Sequence, residues 1–174
     1  MDLRMLKTQN SIHEAFYKLR KELPLEKIRV NELCQMAQIN KSTFYRHYLD
    51  VYDLSNALES EIIEAVKADF SSADMLYSDP EQFVTGLRNA LYPHRENILI
   101  LFDGRMLCFA DRMEEWLTAV YLDASSTTED RITLSFVIGG AIHAFLSPKF
   151  ESDDTARTII HLLHGIRNSG CHAE

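Results

Sequence analysis

The stretch VNELCQMAQINKSTFYRHYLDVYDL, residues 30–54, holds three elements in 25 residues. Residues 30–37 form a short helix. Gln38-Ile39-Asn40 makes a three-residue turn, and Asn40 suits the N-cap of the next helix because its side-chain oxygen can accept from orphan N–H groups. Residues 41–48 form that next helix. Upstream, residues 3–22 place Ile12, Phe16, Leu19 and Leu23 at steps of 4, 3 and 4, an amphipathic stripe that Pro24 ends. Downstream, a fourth helix starts at Val51, with Leu54, Leu58, Ile62 and Val66 at steps of four. Two short helices joined by three residues after a longer helix make a helix-turn-helix arrangement.

Beyond residue 70 the chain also reads as helix. Residues 71–78 are polar and small, a loop. Asp79-Pro80-Glu81-Gln82 is a helix start, with Asp as cap, Pro at the first helical position and Gln at the third. That helix carries Phe83, Leu87 and Leu91. Pro93 interrupts it, and residues 94–102 continue as a sixth helix until Asp103-Gly104. Residues 105–122, 129–147 and 154–168 supply three more, the last two parted by Ser147-Pro148. The expected fold is all-α with about nine helices. Residues 1–50 would be a three-helix DNA-binding domain, and residues 51–174 a helical ligand-binding and dimerisation domain.

Composition excludes several classes. The 174 residues are 46% hydrophobic and 25% charged, ordinary for a globular chain. No apolar run approaches the about 20 residues of a membrane span, and the first residues lack a signal-peptide core, so the expected location is cytoplasmic. Cys34, Cys108 and Cys171 are odd in number and far apart, which argues against a disulfide framework or a cysteine-based zinc module. All six glycines lie after residue 85, and neither GxGxxG nor GxxxxGK[ST] occurs, so no phosphate-cradling loop is present. With no nucleophile–base pair, paired carboxylates or cofactor loop, the sequence reads against an enzyme, and no cofactor or metal is expected.

Charge is uneven. The chain has a net charge of −8. Residues 1–50 hold nine basic and six acidic residues, a net of +3; the rest hold 9 and 20, a net of −11. A basic first third on an acidic protein fits a small module that meets a polyanion. Lys41-Ser42-Thr43 opens the third helix with the small polar groups that entering a major groove requires, and Tyr45, Arg46, His47 and Tyr48 follow. Ile39 and Phe44 are the apolar plugs that would seat the turn and this helix on the first. Lys18, Arg20 and Lys21 read as a solvated face.

Residues 30–54 resemble the DNA-binding signature of TetR-family transcriptional regulators, specifically in INKSTFYRHY (39–48) and in Asp50, Asp53 and Leu54. The STFYxHY form is similar to the branch common in Gram-positive bacteria. By motif the resemblance covers roughly residues 5–60. It implies that Lys41, Ser42 and Thr43 touch phosphates and base edges, that Tyr45 and Tyr48 pack on backbone or thymine methyls, and that His47 contacts phosphate. Arg46 joins that set. Arg29 falls where the family usually has a Thr cap; it could reach a phosphate, but the cap is lost. Gln38 stands where the turn usually has Gly, so it must tolerate a left-handed conformation. Val51 stands where many members place a Lys on phosphate.

Residues 132–146 are apolar on most sides, which requires burial on more than one face and favours a homodimer seam. Phe136, Gly139, Gly140 and His143, with Ile159, Leu162, Leu163 and Ile166 of the last helix, are its expected residues. The glycine pair costs roughly 1 kcal/mol per residue in helix stability, which close approach of another helix would offset. The resemblance implies the same seam. His161 and His164 lie three apart and, with His143, read as interface histidines rather than metal ligands. Phe83, Leu87, Leu91, Phe102, Met106, Phe109 and Trp116 come from the helices where the family places its effector cavity. His13 and His94 receive no role.

The expectation is therefore a sequence-specific regulator, by default a repressor, that binds a palindromic operator in double-stranded DNA as a homodimer and is released by a small-molecule effector or a protein partner. The alternative is a helical co-regulator that keeps the helix-turn-helix as scaffold and acts through a protein partner.

Overall fold

The computed structural model describes residues 3–76, 78–123, 126–147, 149 and 152–169, the side chains of 152 and 166–169 excepted. Among these residues every regular element is helical: eight helices of seven residues or more and one single-turn helix. They are α1 Leu3–Glu22, α2 Val30–Met36, α3 Lys41–Phe44, α4 Val51–Asp69, α5 Pro80–Leu91, α6 Arg95–Leu101, α7 Met106–Tyr121, α8 Thr128–Leu146 and α9 Ser152–Ser169. Short 3-10 turns occupy Leu25–Lys27 and Tyr92–His94. None of the described helices is long and apolar enough to cross a membrane. The described residues up to 62, with 96–104, form one compact unit, and those of 63–95 and from 105 onward a second; the boundary falls inside α4.

In the first unit, α1 packs on α2 and α2 on α3. Ile12, Phe16, Leu33, Phe44 and Leu54 are fully buried, each side chain contributing roughly 1.5–3 kcal/mol by leaving water. Residues 96–104 add Ile98, Leu101 and Phe102 to this core. Arg20 is not solvated as the sequence suggested. It is buried, donating to the Leu23 carbonyl at 2.9 Å and to the Ile100 carbonyl at 2.8 Å. A guanidinium tolerates this because its fixed fork of donors satisfies helix-end carbonyls. Lys21 pairs with Glu96 at 2.6 Å on the surface, which holds the Glu96 carboxyl below its usual range.

The turn between α2 and α3 holds Gln38 at φ 55°, the one non-glycine residue at positive φ among those described. The left-handed region costs a residue with a Cβ about 1–2 kcal/mol. Gln38→Gly is accordingly expected to raise stability by about 0.5–1 kcal/mol, the relief being partly offset by the freer unfolded chain. Urea unfolding of the two proteins side by side checks this, and a loss of stability would contradict it.

In the second unit, α7 packs on α8, and α9 on α5 and α8. Asp79 caps α5 as its residue type requires, accepting from the Gln82 amide at 3.1 Å. Thr127 and Asp130 close a reciprocal capping box at the start of α8. Gly86 is required by close approach: a Cβ there would stand 1.9 Å from Ser72 Oγ, which donates to the Gln82 carbonyl. Phe83, Leu87, Leu91 and Phe109 are fully buried, and Phe83 lies 5.2 Å from Phe70, ring to ring. These four of the expected cavity residues are thus buried within the second unit. Met106 and Trp116 are half-buried, and Phe102 belongs to the first unit.

The helix after the turn is shorter than the sequence suggested. It ends at Phe44 rather than at residue 48. Beyond it the chain tightens: Arg46 N–H bonds to the Thr43 carbonyl and His47 N–H to the Phe44 carbonyl, both i→i−3. Tyr45, His47 and Tyr48 lose side-chain freedom in a regular helix, and the Tyr48 hydroxyl reaches Gln9 and His13 of α1.

Candidate nucleic-acid interface

The segment 41–48 is seated by its own apolar residues. Phe44 is fully buried and Tyr48 nearly so, with ring centroids 5.9 Å apart. Spaced four apart, they turn one side of the segment inward. The other side presents Lys41, Ser42, Tyr45 and Arg46, all exposed, Tyr45 at 54%. Thr43 and His47 are half-buried at the edges. Ile39, the second expected plug, is also half-buried.

Asn40 organises the start of α3. Its side-chain oxygen accepts from Thr43 N–H at 2.7 Å, Ser42 Oγ at 2.7 Å and Thr43 Oγ1 at 2.8 Å. Arg46 Nη2 donates to Thr43 Oγ1 at 3.4 Å. The two hydroxyls thus give their protons to the cap and retain lone pairs. They can accept from an amino group of a base edge without rearrangement, and donate to a phosphate only by leaving Asn40. Lys41 and Arg46 supply cations on the same side.

Arg29 is exposed at the start of α2 and makes no side-chain cap there. The lost cap expected from sequence is therefore present as a defect. Val51 is buried at the start of α4, so no charge stands at that position. The helix start is served instead by Asp50, which accepts from the Tyr52 and Asp53 amides at 2.8 Å, and by Asp53, which accepts from Leu49 N–H at 2.9 Å.

Tyr48 does not face solvent as an interface residue would. Its hydroxyl lies 2.7 Å from His13 Nε2 and accepts from Gln9 Nε2 at 3.4 Å. Sequence reasoning gave His13 no role. Its signal was present but weak: Gln9 and His13 are four apart, hence on one face of α1, beside the buried Ile12 and Phe16.

A second candidate surface lies on the second unit. Among the residues expected at a dimer seam, Phe136 is 75% exposed, Leu162 is 58% exposed, Gly140 and His143 are exposed, Gly139 and Ile159 are half-buried, and Leu163 is buried. The Ile166 side chain lies outside the described residues. A Cβ at Gly139 or Gly140 would meet nothing within 4 Å, so no described part of the chain presses on this pair. Between α8 and α9 runs a groove of about 640 Å³, walled by Phe136, Val137, Gly140, Ala141, Ile159 and Leu162. His161 and His164 are both exposed. Among the described residues no group of three His, Cys, Asp or Glu side chains is placed to hold a metal ion.

No protein-family model matches this chain, and no curated protein matches it.

Proposed function

We propose that the protein is a sequence-specific, DNA-binding transcriptional regulator of the kind its turn sequence resembles, the TetR family, acting by default as a repressor. One observation carries the reading. Lys41, Ser42, Tyr45 and Arg46 project together from a short segment whose Phe44 and Tyr48 are buried behind them. Cations and hydrogen-bonding groups on a protruding, rigidly seated segment are what groove entry needs. The cations would supply most of the affinity through counterion release and the polar groups the register.

Two such segments would act together in a homodimer on a palindromic operator. The exposed residues Ile132, Phe136 and Gly140 on α8, with Leu162 on α9, support this part. A chain with 64% of Ile132 and 75% of Phe136 in water gains by covering them with a second copy. An effector would act by favouring one dimer state, to the extent of its differential affinity. One observation favours the alternative of a co-regulator acting through a protein partner: the buried Val51 leaves the start of α4 without a phosphate-binding cation.

The test is selection of genomic DNA on the purified protein at about 100 mM salt, where phosphate contacts still hold but weak ones are competed. Enrichment of a palindrome is the expected result. On the enriched duplex, Lys41→Ala should lower affinity severalfold and reduce the salt slope by about 2, one phosphate contact from each copy. Tyr45→Ala should lower affinity for the enriched site more than for random duplex. A folded, dimeric protein that enriches nothing would favour the co-regulator.

A further inference from the structure

The segment 41–48 is anchored at two points of different chemistry. Phe44 anchors it by burial. Four residues on, Tyr48 anchors it by a directional bond, its hydroxyl meeting His13 and Gln9 one turn apart on α1. Burial alone leaves a short segment free to roll about its apolar contact, because the hydrophobic effect is non-directional. A hydrogen bond at the far end stops that roll. We propose that His13, with Gln9, is a positioning residue that locks Tyr48 and thereby sets the angle at which Lys41, Tyr45 and Arg46 are presented; the functional part of this rests on the DNA-binding proposal above.

The polarity of the lock follows from its donors. Gln9 Nε2 donates into the phenol oxygen. In the proposed lock the single phenol proton goes to His13 Nε2, 2.7 Å away, which then carries a lone pair. That requires neutral His13 with its proton on Nδ1. Burial favours this state by lowering the His13 pKa from 6.5; the Glu61 carboxylate of α4 opposes the shift and neighbouring His47 adds to it. Burial raises the Tyr48 pKa above its ordinary 10.0, with Glu61 and Asp53 adding and the Gln9 bond opposing, so the phenol keeps its proton. A His with a lowered folded pKa contributes fully above the unfolded value of 6.5 and loses its contribution as pH falls through the lowered one. Protonation turns Nε2 into a donor, so two donors face one oxygen and the phenol proton loses its acceptor.

The first test uses the free, full-length protein and needs no DNA. Nitrogen NMR of labelled histidine should report the Nδ1–H tautomer at His13. Amides of residues 45–48 should exchange about two- to tenfold faster in Tyr48→Phe than in the parent, the worth of one net hydrogen bond, with α9 amides unchanged. An Nε2–H tautomer, or unchanged exchange, overturns the proposal. The second test measures the affinity ratio of the enriched duplex to a random duplex. Tyr48→Phe and His13→Leu should lower the ratio about two- to tenfold. His13→Gln, whose amide oxygen can still take the phenol proton, should retain it. As pH falls from 6.5 through the lowered His13 value, the ratio should fall further in the parent than in His13→Gln. Equal ratios for His13→Leu and His13→Gln overturn the positioning role. If no duplex binds at all, the DNA-binding reading fails, while tautomer and exchange still decide the lock.

Discussion

Phe44→Ala is expected to cost about 3–5 kcal/mol, the range for truncating a fully buried aromatic ring. Phe44 has no exposed surface and touches the rings of Tyr45 at 5.5 Å and Tyr48 at 5.9 Å, so its removal opens a cavity at the joint between the turn and α1. Domains of this size are stable by only about 5–15 kcal/mol, so the loss is a large fraction of the total. The urea midpoint should fall by about 1.5–2.5 M for a slope near 2 kcal/mol/M. DNA enrichment should vanish with it, because the exposed cations lose their seat. Phe44→Leu keeps most of the volume and should lose far less. A midpoint shift below about 0.5 M for the alanine variant would mean that the ring carries no more weight than a surface group.

Phe136→Glu should convert a dimer into a monomer. On a two-fold interface the same residue enters from both copies, so each effect counts twice. Placing two carboxylates in an apolar seam should raise the dimer dissociation constant at least 100-fold, about 2.8 kcal/mol. The fold itself should survive, since Phe136 is 75% exposed in the single chain; far-UV circular dichroism and the urea midpoint at low concentration provide that control. Sedimentation velocity over a concentration series reads the association directly. Operator affinity should drop with it, because a linked second half-site acts at an effective concentration that a monomer lacks. A parent protein that stays monomeric at about 100 μM, well above the dissociation constant of an ordinary stable dimer, would remove the homodimer from the proposal.

Much of the helix inventory was legible because it depends on near neighbours. The 3.6-residue stripe of Ile12, Phe16 and Leu19 is satisfied within α1, whose bounds Leu3–Glu22 coincide with the expected ones. Asn40 and Asp79 cap helices through bonds to residues three away. Gln38 at φ 55° follows from a turn too tight for right-handed backbone. Such features span a few residues, and the residue types that make them are in plain view. The all-α class follows from their sum.

What escaped the sequence spans long separations. The partner that meets the inward-turned Tyr48 is His13, 35 residues upstream. Arg20 reads as a surface cation until Ile100, 80 residues on, offers its carbonyl. Phe83, Leu87 and Phe109 have the spacing of a core and of a cavity wall alike; only the tertiary structure shows all three fully buried. The same holds for α8, whose apolar residues surround it in sequence. Tertiary structure assigns Leu134, Ile138 and Ile142 to the core and leaves Ile132 and Phe136 in water. The sequence by itself thus determined where helices start and which turn joins them, since backbone hydrogen bonds and caps are local. Which face each helix buries, and which polar side chain finds a distant partner, is a property of the assembled core, because burial is shared among elements that meet only once the chain has folded.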